Sequence, residues 1–343
     1  MAPTHTPAKC EGTVLGPLLF LIFINDMNTC IKHSVISFFA DDTRIKKSIS
    51  SIADLQHLQE DLNSVVKWTA ENNMMLHERK FEYLNHSTGQ CKLLKELPFT
   101  SELYQYTTPS GIVISPTNSV RDLGVNITPE LSWSPYIDDM VSSANRMSSW
   151  ILSVFSSRDK TSMLTLYKSL VRSRLEFSCP LWTPNKMEDI IKLEQVQRNL
   201  PSKIAGYSDL HYWDRLTALK LMSLQRRRER YCILHLHKVL HNTVTSDLDI
   251  TTYYSERRGL LVNIPSILKG TKSKHQSLYY SSFTVLAPRL WNSLPKFIRG
   301  EDRFESFKSK LTSYMLSLPD QPPIAGDPSG NSILQLGGLI ERH

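Results

Sequence analysis

Hydrophobic residues along this chain recur with two periods, and the change from one to the other divides it. Between Ser34 and Ile49 two apolar runs, Val35-Ile36 and Phe38-Phe39, lead into Asp41-Asp42, and a second short run leaves them. β-branched and aromatic residues around a pair of turn-forming acids predict a strand, a tight turn and a returning strand, with both carboxylates at the tip and buried flanks. Ile52, Leu55, Leu58, Leu62, Val65, Val66 and Trp68 then follow at helical spacing, behind Ser50 or Ser51 as a cap, and predict an amphipathic helix over 52–72. Upstream, Val14 to Ile24 is apolar throughout and carries Pro17, which suits a first helical turn. It is shorter than the roughly 20 residues a membrane span needs, so a buried helix is expected.

Residues 92–128 alternate short apolar runs with turn formers. Leu103-Tyr104-Gln105-Tyr106, Pro109-Ser110-Gly111, Ile112-Val113-Ile114 and Val120 to Ile127 predict short strands joined by turns. From Trp133 the period becomes helical. Ile137, Met140, Val141, Ala144 and Met147 share one face; Leu164, Leu166, Tyr167, Leu170, Val171 and Leu175 predict a second helix after Asp159. Ile190, Ile191, Leu193, Val196 and Leu200 predict a third, and Trp213 to His241, free of proline, a fourth. Arg257 to Lys274 reads as an exposed connection. Phe304, Phe307, Leu311, Tyr314 and Met315 predict a last amphipathic helix, and Asp320 to Ser332 a disordered stretch.

Composition adds little to this until charge is considered. At 343 residues and 41% hydrophobic, the chain is long enough for two cores. A net charge of +7 and a pI of about 9.0 favour an acidic partner such as nucleic acid, although solubility alone asks for the same excess. The five cysteines include no Cys-x-x-Cys, which argues against a disulfide framework or zinc ribbon and for a reducing interior. Residues 1–10 have no apolar centre, so no signal peptide is expected.

On residue types alone, Asp41-Asp42 is either a solvated turn or two mutually repelling carboxylates that share a cation, for which oxygen-seeking Mg²⁺ is the natural choice. Arg226-Arg227-Arg228 and Arg230 wrap around the fourth helix, so part of the run is open to phosphates or forms a solvated basic face. His237 and His241 lie one turn apart, yet no acid or cysteine at ligand spacing completes a zinc set.

Three motifs carry a family resemblance: Glu11-Gly12-Thr13-Val14-Leu15-Gly16-Pro17-Leu18-Leu19-Phe20, Ile22-Phe23-Ile24-Asn25-Asp26-Met27 and Phe39-Ala40-Asp41-Asp42-Thr43. Their order and close spacing resemble the reverse transcriptases of non-LTR (LINE-type, jockey-like) retrotransposons. The resemblance implies RNA-directed DNA polymerisation by two Mg²⁺ ions about 4 Å apart. It implies an RNA template and a DNA primer as partners, an intracellular location in nucleus or cytoplasm, and no membrane.

Residue by residue, Gly12, Leu15, Gly16 and Pro17 match the motif that lies against the templating base and incoming nucleotide. Asp41 and Asp42 match the metal-binding carboxylates of the catalytic hairpin, with Phe39 where many other reverse transcriptases have Tyr. Met74 to Leu84 resembles the next motif, in which Lys80 matches a lysine that reaches the phosphates. Leu123, Gly124 and Val125 match the primer grip. Departures are Glu11, where the family has Gln, and His77, where it has Asn.

The implied fold is α+β: a partial right-hand polymerase palm (an antiparallel hairpin with helices) over 11–130, then a mainly helical thumb-like region over 131–245. An extension follows over 246–318, with a disordered lead-in at 1–10 and a disordered tail at 319–343. In the family a third acid lies upstream of the Gly-Thr-Val-Leu-Gly-Pro motif, and residues 1–10 contain neither Asp nor Glu. The expectation is therefore a reverse transcriptase fragment inactive on its own; the alternative is a non-catalytic nucleic-acid-binding remnant or interaction protein.

Overall fold

The first helix, α1 (Gly16–Ile24), has proline in its first turn and passes directly into a 3₁₀ turn, Asn25–Cys30. In the computed structural model, which describes residues 15–74, 76–86, 105–267, 273–327, 330 and 332–334, the chain forms two units, Met1–Ser132 and Trp133–His343. The helix is where the sequence places it, but the expectation that it is buried is corrected. Only Ile24 of α1 is enclosed, while Leu18 is 54% and Ile22 65% exposed. A helix apolar on all sides needs cover on all sides; among the described residues, α1 is covered where Phe20 and Ile24 join the cluster of Met27, Val65 and Trp68 and where the Phe23 ring meets Trp68.

Within the same unit, β1 (Val35–Phe39) and β2 (Asp42–Lys46) pair antiparallel with Phe39 opposite Asp42. One face of the hairpin supplies Ile36, Phe38 and Ile45 to the core around Trp68; the other leaves Val35 and Phe39 open, so the flanks are covered on one face rather than two. Helix α2 (Ile52–Glu71) begins with a capping box: the Ser51 hydroxyl accepts the Asp54 N–H, and the Asp54 carboxylate accepts the Ser51 N–H. This satisfies two of the donors that a helix start otherwise leaves unpaired.

A smaller cluster of Leu55, Tyr106 and Ile114 lies under the pair β3 (Tyr106–Thr107) and β4 (Val113–Ile114). Gln59 holds that pair to α2, donating to the Thr107 carbonyl at 2.7 Å and accepting the Thr107 N–H at 3.0 Å. Strands β5 (Val120–Asp122) and β6 (Val125–Ile127) make a further hairpin, turning through Leu123 and Gly124, both at positive φ. Leu103 and Tyr104 lie outside the described residues.

The second unit opens with α3 (Ser134–Val154) and α4 (Lys160–Leu166); Asp159 caps the latter by accepting the Ser162 N–H. A π-helical turn, Tyr167–Arg172, leads into α5 (Ser173–Glu176), followed by α6 (Met187–Asn199). The predicted fourth helix is two. Lys220, at φ +52°, ends α7 (Tyr212–Leu219), and the Ser223 hydroxyl accepts the Arg226 N–H to start α8 (Leu224–Leu240). A serine whose hydroxyl can accept the N–H three residues on is a start signal even where no proline marks a stop.

Strands β7 (Thr252–Ser255) and β8 (Gly259–Val262) follow, the second within the stretch that reads as an exposed connection. Leu261 and Val262 there are 2% and 1% exposed, so three consecutive apolar residues outweigh the surrounding turn formers. The chain then continues through α9 (Ser273–Ser281), α10 (Phe283–Ser293), α11 (Lys296–Arg299) and α12 (Phe304–Ser317). Cys232, Ile233, Leu236, Trp291, Phe307 and Leu311 form the centre of this unit's core.

Residues 320–327 are placed rather than disordered: Asp320 accepts the Ser223 N–H at 2.7 Å, and Ile324 is buried. Small antiparallel hairpins with many helices make the chain α+β. No helix among the described residues is long and apolar enough to cross a membrane.

Candidate active site

The tip of the β1–β2 hairpin is built by backbone constraint. With Phe39 and Asp42 in register, only Ala40 and Asp41 remain to reverse the chain, and Ala40 takes φ +52° to do so. Asp41 therefore sits in the turn and Asp42 on the first residue of β2, both exposed. Water around the tip lowers the cost of holding two negative charges on adjacent residues, and the same openness leaves their oxygens free for a hard cation.

Two residues, Lys47 and Arg44, fix this hairpin within its unit. At its base, Lys47 donates to the His33 carbonyl at 2.9 Å and lies 3.5 Å from Asp54. The Ser50 N–H and the Ser51 hydroxyl and N–H hold the Asp54 carboxyl well below the usual carboxylate range. On β2, Arg44 donates to Asp122 at 2.6 Å, which joins the carboxylate hairpin to β5 beside the Leu123-Gly124 turn. The structure thus ties the two hairpins that carry Asp41, Asp42, Leu123 and Gly124. Sequence reasoning did not single out Arg44 or Asp122; an arginine three residues after the tip and an acid beside the glycine turn are weak signals without a register.

The other predicted site residues are placed separately. Leu15 and Pro17 are exposed and Gly16 half-buried at the start of α1; Gly12 lies outside the described residues. Lys80 is exposed at the end of the turn Glu78–Lys80, where the Glu78 carboxylate accepts a hydrogen bond from the Ser110 hydroxyl. Its position is set by that turn, and no described contact joins it to Asp41 or Asp42. Among the described residues, no third His, Cys, Asp or Glu completes a ligand cluster with the aspartate pair.

The arginine run needs correction. Arg226 and Arg228 are 1% and 3% exposed, not open to phosphates. Arg226 donates to the carbonyls of Met315 and Pro319 at 3.1 and 2.8 Å, with Glu229 3.7 Å away. Arg227 grips Glu176, and Arg230 donates to the Thr312 hydroxyl at 3.0 Å. The reason is packing: α6, α10 and α12 all lie against α8, so consecutive positions on it face protein rather than water.

Close by, Glu194 is fully buried, accepting from Tyr212 at 2.7 Å and from the Gln225 N–H at 2.7 Å; burial pushes its carboxyl up to about 7, against the pull of Arg228. His237 is a core histidine, donating to the Glu301 carbonyl and stacked on Phe307.

The site is thus an exposed two-acid hairpin tied to a glycine turn. Comparison with known proteins gives the class: this chain is related to the reverse transcriptases of non-LTR retrotransposons. It is 22% identical over 209 residues to the probable RNA-directed DNA polymerase from transposon X-element of Drosophila melanogaster. It is 23% identical over 209 residues to the RNA-directed DNA polymerases from mobile element jockey of Drosophila melanogaster and Drosophila funebris. Each alignment covers 57% of this chain and 21% of the relative, so the chain matches about a fifth of those proteins. No family model matches, and no solved structure does.

Proposed function

We propose that this chain carries the catalytic hairpin and the thumb-like region of an RNA-directed DNA polymerase, working inside the cell on an RNA template and a DNA primer. The observation that supports this most is the hairpin tip, where register and a positive-φ alanine hold Asp41 and Asp42 at the surface. Two exposed carboxylates suit Mg²⁺, which keeps several waters and takes one or two protein acids together with substrate phosphates. Bound there, the ion would supply charge stabilisation to nucleotidyl transfer.

Asp41 and Asp42 would hold it. Phe39 lies beside the incoming nucleotide, Leu15, Gly16 and Pro17 (with Gly12) lie against the template, and Lys80 meets phosphate. Leu123 and Gly124 support the primer backbone, and the Arg44–Asp122 pair sets their hairpin relative to the carboxylates.

The reaction implied by the family resemblance uses three carboxylates, and among the described residues no third acid joins the aspartate pair. Groups that act as a unit lose most of their effect when the set is incomplete. This chain alone is therefore expected to be inactive. Primer extension on an RNA template with Mg²⁺ tests this: the 343-residue chain and its Asp41→Ala variant are expected to give the same background. Incorporation that disappears in Asp41→Ala would overturn the inactivity and establish the polymerase outright.

A further inference from the structure

Away from the hairpin tip, α2 and the loop before β1 bring together His33, His57 and Glu60. One ligand atom from each lies within 4.8 Å of the other two. The His33 Nε2 atom is 3.6 Å from the Glu60 carboxylate, and the rings of His33 and His57 stack with centroids 4.1 Å apart. His57 and Glu60 are three residues apart on a helix, a spacing that puts both on one face.

The loop that carries His33 is held in place. Asp61, 1% exposed, accepts the N–H groups of Lys32 and His33 at 2.9 and 3.0 Å, and Lys47 donates to the His33 carbonyl. The third ligand thus comes from an anchored backbone rather than a loose one. We propose that His33, His57 and Glu60 form a binding site for a borderline-soft transition-metal ion of the Zn²⁺ class.

Two imidazoles and a carboxylate are a zinc donor set that leaves the fourth position to water. Around a tetrahedral ion with bonds of about 2.0–2.2 Å, ligand atoms stand roughly 3.5 Å apart. That is closer than the 4.8 Å limit here, so closing the site requires the stacked rings to turn until a nitrogen of each faces the ion. Glu60 is exposed and the His33 side chain is 35% exposed, which leaves room for that movement. The site differs in kind from the aspartate pair, whose all-oxygen donors suit a hard ion. A metal here would clip the strand that leads to Asp41 onto α2. The signal in the sequence is His57-x-x-Glu60, which carries nothing until the fold supplies His33.

Titration of the full chain with Zn²⁺ by calorimetry, and with Co²⁺ by its visible absorption, tests this in excess Mg²⁺ at pH 7.5. One equivalent is expected to bind at this site. Affinity should fall about tenfold or more in His33→Ala and in His57→Ala, fall also in Glu60→Gln, and stay unchanged in the exposed His211→Ala. All the substituted side chains are at least partly solvent-accessible, and circular dichroism checks that each variant folds. Absence of binding, or equal affinity in His33→Ala, His57→Ala and the parent chain, would overturn the proposal.

Discussion

The two units use charge in opposite ways. In Met1–Ser132 the charges proposed for chemistry stand in water: Asp41 and Asp42 at a hairpin tip, over a small core that leaves most of α1 uncovered. In Trp133–His343 the conspicuous charges are inside: Arg226, Arg228, Glu194 and Glu229 are all buried, in the unit whose core holds Trp291 and Phe307. A motif of exposed residues can be recognised by its chemistry. A run of buried ones cannot, because only the packing tells whether a guanidinium faces a phosphate or a carbonyl.

The sharpest way to break this comparison is to remove a buried charge. Arg226→Ala leaves Glu229 without its cation and the Met315 and Pro319 carbonyls without their donor. A loss of about 3–5 kcal/mol in chemical denaturation, followed by tryptophan fluorescence, is the expected result. A surface arginine would cost almost nothing, and that outcome would return the run to the nucleic-acid reading.

A medium effect comes from pH. Because burial raises Glu194 to about 7 in the folded chain, the fold prefers its protonated form. Its contribution is present at and below the usual glutamate pKa of about 4.3 and is lost as pH rises from there through about 7. The second unit is expected to lose about 1–3 kcal/mol over that window. Glu194→Gln should flatten the slope in denaturation curves measured at several pH values, and an unchanged slope would remove Glu194 as its source.

The smallest expected effect is in the first unit. Ser51→Ala takes away one half of the capping box and should cost about 1 kcal/mol, read from the thermal transition of that unit. A negligible shift would mean that α2 is held by packing alone.

Local patterns made much of the first unit legible. Two apolar β-forming runs ending in two acids gave the hairpin and its tip, and helical spacing behind Ser51 gave α2, whose observed start is that cap. The openness of α1 was not legible, since an apolar run states a need for cover without saying where the cover comes from.

In the second unit, Asp159 and the periodic faces located α4 and α6. The break at Lys220 rests on a single left-handed residue and a serine cap, and the β7–β8 pair on three apolar residues among turn formers. The Arg44–Asp122 pair spans 78 positions, so nothing short of the fold reveals it.

The central claim is that Asp41 and Asp42 form a divalent-cation site on an exposed hairpin. Paramagnetic line broadening by Mn²⁺ in amide NMR spectra tests it most directly. Broadening centred on Ala40 to Thr43, and abolished in Asp41→Asn with Asp42→Asn, is the predicted result. Broadening of those amides that survives the double substitution, or none there at all, would contradict it.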